Sequence, residues 1–177
     1  MSAPALRPFL PADTPILAAI FVASVESLTG DDYSEAQQEA WAAAVDDEAV
    51  FGQRLASQLT LVATVDGAPV GFASLKGKDH LDLLYVHPGA VGQGAAAALC
   101  DALERLAVAR GAKSLIVDAS DNAAEFFAKR GYEAQQRNTV SLNGEWLANT
   151  TMQKQLADNA GGRNDPRTAL SVRYHAA

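Results

Sequence analysis

The residues best able to do chemistry cluster between His80 and Ala97, with a second group near Asp118. A strand-like run ending Tyr85-Val86 enters His87-Pro88-Gly89-Ala90-Val91-Gly92-Gln93-Gly94-Ala95-Ala96-Ala97, a glycine-bearing turn that opens a helix. The first amides of a helix lack internal partners, and the helix dipole places partial positive charge among them. From Val91 through Ala97, glycines and alanines keep bulk away from those amides, so a pyrophosphate is the expected guest. His80 and Asp82, two apart on the strand, should leave the same face. A histidine next to a carboxylate is a sensible base. The plainer reading makes His80 the solvated end of the polar turn at 76–80. His87 reads as part of the loop, and Cys100 as a small buried apolar residue inside the helix.

Two cofactor classes suit such a turn. Gly92-x-Gly94-x-x-Ala97, with Asp118 following at a strand end, matches the dinucleotide pattern G-x-G-x-x-G/A. Against NAD stand the five residues between Val86 and Gly92, the hairpin before the motif, and too little chain for a second mononucleotide half. The better match is a family. Strand, Val86-His87-Pro88, then Val91-Gly92-Gln93-Gly94-Ala95-Ala96 opening a helix resembles the GNAT superfamily of acetyl-CoA-dependent N-acetyltransferases. DASDNAAEFFAKRGY over 118–132 resembles that family's N-x-x-A-x-x-F-Y-x-K-x-G-F. Two motifs in the right order, with the resemblance running from Leu6 to about Leu156, are far more specific than either alone.

The resemblance implies direct transfer of acetyl from acetyl-CoA to a primary amine of a small molecule or peptide, with no metal. It implies that the main chain of Leu84, Tyr85 and Val86 positions the cofactor, with Ser120, Ala123 and Phe127 along the pantetheine arm. By the same resemblance, His80 and Asp82 stand where several members carry their catalytic acids or histidines. The loop holding Asp31, Asp32 and Tyr33 stands where the acceptor site is commonly covered, and Asp31 and Tyr33 would suit a cationic amine. Trp41 is read as core. Three departures matter. Val91 replaces a Gln or Arg, Ser120 an Asn, and Phe127 the tyrosine that often protonates the departing thiolate. A phenyl ring carries no proton, so a module that binds acyl-CoA without turnover is the alternative.

The elements that must hold these residues follow from periodicity and turn signals. Helices are expected over 14–27, from 35 through the Trp41 region, over 48–58, 91–110 and 122–129. Strands are expected over 6–9, 60–65, 69–76, 80–86, 114–119, 132–142 and 145–153, the run SLIVDA over 114–119 reading as apolar and buried on both faces, with hairpins at Asp66-Gly67 and Asn143-Gly144. That order predicts an α+β fold: a twisted, mostly antiparallel sheet of about seven strands, a central β-α-β unit, and helices on both faces. Residues 1–157 form the domain. Residues 158–177 read as a C-terminal extension, with 168–174 extended, packing on the domain or on a second copy, so a homodimer is one expectation.

Composition sets the outer bounds. The chain has 177 residues, enough for one domain with its own core. A net charge of −7 argues against nucleic acid as a partner. Alanine, at 36 residues, is in excess, which favours helices packed closely on a flat sheet. A single cysteine cannot form an internal disulfide and points to the cytoplasm. Residues 16–25 are apolar and follow Arg7 as in a secretory signal, but Pro8, Pro11 and Asp13 interrupt the approach. The run is too short for a bilayer, so no membrane partner is expected.

Overall fold

Among the described residues, seven strands form a single sheet in the order β1-β2-β3-β4-β5-β7-β6. The strands are β1 (Ala5–Pro8), β2 (Leu59–Val65), β3 (Ala68–Lys76), β4 (His80–Val86), β5 (Ser114–Ser120), β6 (Glu133–Leu142) and β7 (Glu145–Gln155). The helices are α1 (Thr14–Leu28), α2 (Glu35–Ala42), α3 (Glu48–Ser57), α4 (Ala95–Ala109) and α5 (Ala124–Lys129). This computed structural model describes residues 2–157. The expected extension over 158–177, and the homodimer argued from it, lie outside the described residues.

Every neighbouring pair in the sheet is antiparallel except β4 with β5. That one parallel pair is joined through α4, the expected central crossover. A dinucleotide fold needs a parallel sheet built from two βαβ halves, so this topology excludes the NAD reading.

Two buried layers cover the two faces. On one, α4 lays Leu99, Leu103 and Ala107 against Leu75, Leu81, Leu115 and Val117. On the other, α1 and α3 pack Leu17, Phe21, Val25, Phe51 and Leu55 on Val62, Phe72 and Leu83. Pro11–Leu28 is long and apolar enough by length and composition to cross a membrane. Its Leu17, Ile20, Phe21 and Val25 are instead at most 2% exposed, packed into the core.

Local chemistry sets the element ends. Ser34 caps α2 by accepting from Gln37 N, while the Gln37 side chain returns to Ser34 N, a reciprocal capping box. Two expectations shift. The long helix begins at Ala95, four residues after the expected start, because Gly92 and Gly94 take left-handed φ angles of +82° and +89°. Residues 114–119, expected to be apolar and buried on both faces, instead alternate, with Asp118 exposed.

Candidate functional site

The central parallel pair is short. Registered partners are His80↔Ile116 and Leu81↔Val117; beyond them β4 stays with β3 to Val86, while β5 stays with β7 to Ser120. The two strands therefore diverge into a wedge, and the β4 edge facing it has no ladder partner past Leu81. A cavity of about 100 Å³ sits there. Its β4 wall is Leu81, Asp82, Leu84 and Tyr85, and its β5 wall Val117, Asp118, Ala119 and Ser120, continued by Asn122, Ala123 and Phe127. Ser24, Val25, Thr29 and Trp41 close it from α1 and α2.

A second cavity, of about 280 Å³, opens at the start of α4, lined by Val86, Ala90, Val91, Gly92, Gly94, Ala95, Ala96, Ala97 and Phe126. The first helical bond is Ala98 N donating to Gly94 O at 3.0 Å. The amides of Ala95, Ala96 and Ala97 have no acceptor among the described residues. A Cβ built at Gly92 or Gly94 would meet nothing within 4 Å, so these positions border open space. Gln93 lies beside this cradle and turns inward, its Nε2 donating to Gly89 O at 3.3 Å. His87 holds the turn: its Nδ1 accepts from Gly89 N at 3.0 Å.

A bulge organises the catalytic candidates. The β3–β4 register steps from Ser74↔Leu83 to Leu75↔Leu81, leaving Asp82 unpaired. Leu81 accordingly packs on the α4 side and Leu83 on the α1–α3 side, although they are two apart. The Asp82 carboxylate accepts from Arg54 Nη2 and Gln58 Nε2, both at 2.8 Å. His80 does not use it. Its Nε2 lies 3.8 Å from Asp118 Oδ2 on the neighbouring strand. Asp118 Oδ1 accepts from the Thr151 hydroxyl at 2.6 Å, and Asn138 Nδ2 donates to that hydroxyl at 2.8 Å. An amide nitrogen can only donate, which fixes the Thr151 proton toward Asp118.

The acceptor candidates separate. Asp31 is exposed on the loop after α1. Tyr33 is buried, and its hydroxyl donates to Ala148 O at 2.6 Å while accepting from Asp121 N at 2.9 Å. Neither lines the wedge cavity. Trp41 packs half-buried against the α1–α3 core, as expected, and also lines the wedge cavity, with its indole N–H donating to the Tyr85 hydroxyl at 3.1 Å. Burial pushes the Tyr85 phenol up to about 12, with the Trp41 bond pulling the other way. Asp118, Asn122 and Trp41 in the wedge, with Ser24 and Thr29 from α1 and its end, and Phe126 at the cradle, are among the lining residues that the sequence expectation does not include. An alanine-rich helix gave no sign of which way its one aromatic would face.

Comparison with known proteins places these features in context. Residues 29–156 match the family model for an acetyltransferase (GNAT) domain. The chain is 33% identical over 147 residues to the uncharacterized N-acetyltransferase YafP of Escherichia coli K12, covering 83% of this chain and 93% of that protein. A GCN5-related N-acetyltransferase from Rhodopseudomonas palustris is 72% identical, superposing with a TM-score of 0.87 over 88% of this chain and 98% of that one. The PaiA N-acetyltransferase of Thermoplasma acidophilum, solved with coenzyme A, shares 18% identity. It shows the same fold at a TM-score of 0.73, over 88% and 99% of the two chains.

Proposed function

The chain belongs to the GNAT family of acetyltransferases, and on that premise we propose that it carries acetyl from acetyl-CoA directly to a primary amine of a small molecule or peptide. One observation carries the reading: the wedge between β4 and β5 lies beside an amide cradle at the start of α4. The residues present fit the cofactor. Amides of Ala95, Ala96 and Ala97 would take the pyrophosphate, and the open edges at Gly92 and Gly94 leave room for it. The β4 edge from Asp82 to Val86 offers unpaired backbone groups to an amide-bearing arm. Ala119 and Ala123 keep the facing wall thin. Bound there, acetyl-CoA supplies an activated acyl carbon.

The chain's own residues then have to manage protons. An alkylammonium, with a pKa near 10.4, must lose a proton before its nitrogen can attack. Asp118 lines the wedge cavity with one oxygen fixed by Thr151, and the other faces His80. This pair is a proton exit, from the cavity through Asp118 and His80 to water. Asp82 has a different job: tied to Arg54 and Gln58, it holds the bulge that turns Leu83 and Tyr85 toward α1. Asp31 stays with the acceptor's approach, and Tyr33 anchors the loop above it. The free, buried Cys100 supports a reducing, cytoplasmic setting.

Isothermal titration with acetyl-CoA, followed by thiol release across a panel of primary amines, tests the reading. No binding at high micromolar concentration would sink it. Phe127 in the cavity wall favours the second reading, a non-catalytic acyl-CoA-binding module. Binding without CoA release on any amine would select that one.

A further inference from the structure

We propose that the Tyr85 hydroxyl is the proton donor to the departing sulfur, a role that Phe127 cannot fill. The inference rests on the acetyl-CoA reading above and adds a catalytic residue to it.

Among the described residues, Ser24, Thr29, Tyr33, Tyr85 and Ser120 bring hydroxyls into or beside the wedge. Thr29 Oγ1 is spent, donating to Val25 O at 2.6 Å and receiving Gln38 Nε2 at 3.0 Å. The Tyr33 hydroxyl is outside the cavity and engaged at both ends. Ser24 and Ser120 line the cavity, but an alcohol holds its proton far more tightly than a phenol. Tyr85 remains, reaching the cavity from β4.

Trp41 sets the direction of that phenol. An indole N–H can only donate, so the 3.1 Å contact occupies an oxygen lone pair and leaves the phenolic hydrogen to point elsewhere. No acceptor for it exists among the described residues. Its ring is clamped by Phe21 at 4.3 Å and Phe72 at 5.7 Å between centroids, so the hydroxyl is held in place. With its phenol raised to about 12, Tyr85 stays protonated through the neutral range and is available as a donor.

As the C–N bond forms and the C–S bond breaks, the bonding pair stays on sulfur, which takes the Tyr85 proton. The nitrogen's surplus proton leaves through Asp118, and the phenolate recovers one from water. The products are the amide and the free thiol.

The test reads the thiol itself and needs no acceptor. Coenzyme A is bound to the full chain, and its thiol is titrated by thiolate ultraviolet absorbance in wild type and Tyr85→Phe. A donor to the charged form lowers a pKa, so the bound thiol should titrate at least about one pH unit lower in wild type than in Tyr85→Phe. The affinity for coenzyme A should change little. The other titratable groups around the phenol, the charged pair Asp82 and Arg54 from α3 and the neutral phenol of Tyr33 from the loop before α2, are the same in both proteins. Cys100 stays silent, its thiol pushed by burial to about 12. Trp41→Phe, which keeps Tyr85 but frees its oxygen, should give a smaller shift in the same direction, and it stands in should Tyr85→Phe fail to fold. Equal thiol pKa values in wild type and variant, with coenzyme A bound to both, overturn the role of Tyr85 alone. Failure of wild type to bind coenzyme A overturns the cofactor reading beneath it.

Discussion

Replacing Gly94 with alanine should separate the two demands made on the start of α4. Gly94 has φ +89° and Gly111, at the other end of the same helix, has φ +86°. A Cβ at either position meets nothing within 4 Å, so neither substitution causes a clash. Both carry the left-handed penalty of an L-residue, roughly 1–2 kcal/mol. For a chain of this length that is a Tm loss of about 2–8 °C in each variant. Only Gly94 borders the cavity at the amides of Ala95, Ala96 and Ala97. Its new methyl would stand where a phosphate oxygen must approach. Losing one hydrogen bond to a charged group is worth roughly 1.5–3 kcal/mol. Affinity for coenzyme A should therefore fall roughly ten- to hundredfold in Gly94→Ala and stay near wild type in Gly111→Ala. Differential scanning calorimetry gives the first quantity and isothermal titration the second. Matched Tm losses with unchanged affinity in Gly94→Ala would refute the assignment of the anion to this helix start. Matched affinity losses in both variants would mean that strain, not occlusion, governs binding.

His80→Ala closes the exit from Asp118 to water and should lower turnover by up to the roughly 10²- to 10⁴-fold that positioned proton transfer contributes, while acetyl-CoA affinity holds within about twofold; steady-state rates beside titration decide, and unchanged turnover removes His80 from the proton path. Cys100 is 0% exposed and burial pushes its thiol up, so the native chain presents almost no thiolate at pH 8. Alkylation should accordingly wait for denaturant, and rapid labelling of the native chain would contradict that burial. Asp13, bound by both Arg7 guanidinium nitrogens at 2.8 Å, has its carboxyl held below the usual range by that bond. A depressed folded-state pKa stabilises above the ordinary carboxylate value and is lost as pH falls through the lowered one. Asp13→Asn should therefore cost about 1–2 kcal/mol in neutral urea melts, and the gap to wild type should close in acid.

The parts of the fold that were legible in the sequence are those set by local chemistry. Hairpins at Asp66-Gly67 and Asn143-Gly144, the cap at Ser34 and the glycine turn before Ala95 each depend on residues a few positions apart. The cradle was legible for the same reason, since small residues and a helix start are written together in one stretch of chain. The start of α4 lies four residues after the one periodicity predicts, because alanine-rich periodicity does not register a left-handed φ. Trp41 packs on the core as expected, but its place in the cavity wall is not legible, since which flank of α2 meets the cavity is decided by α1 and β4, not by α2's own residues.

The pairing of His80 with Asp118 could not be read from spacing, because it depends on two irregularities of the sheet. Alternation along β4 put Asp82 beside His80, and it would hold in a regular strand. The bulge at Asp82 breaks the period, and α3 takes that carboxylate through Arg54 and Gln58. The second irregularity is the wedge. A strand flanked closely on both edges and covered on both faces reads as an apolar run, which is how 114–119 looked. Where β4 turns away after Leu81, the β5 face toward α1 and α2 is no longer fully covered, and a carboxylate can stand there at 44% side-chain exposure. Its fixation then comes from β7 and β6, through Thr151 and Asn138, residues 33 and 20 positions downstream of Asp118. The same divergence that opens room for a cofactor arm thus exposes the group that can take the amine's proton, so one distortion of the sheet supplies both.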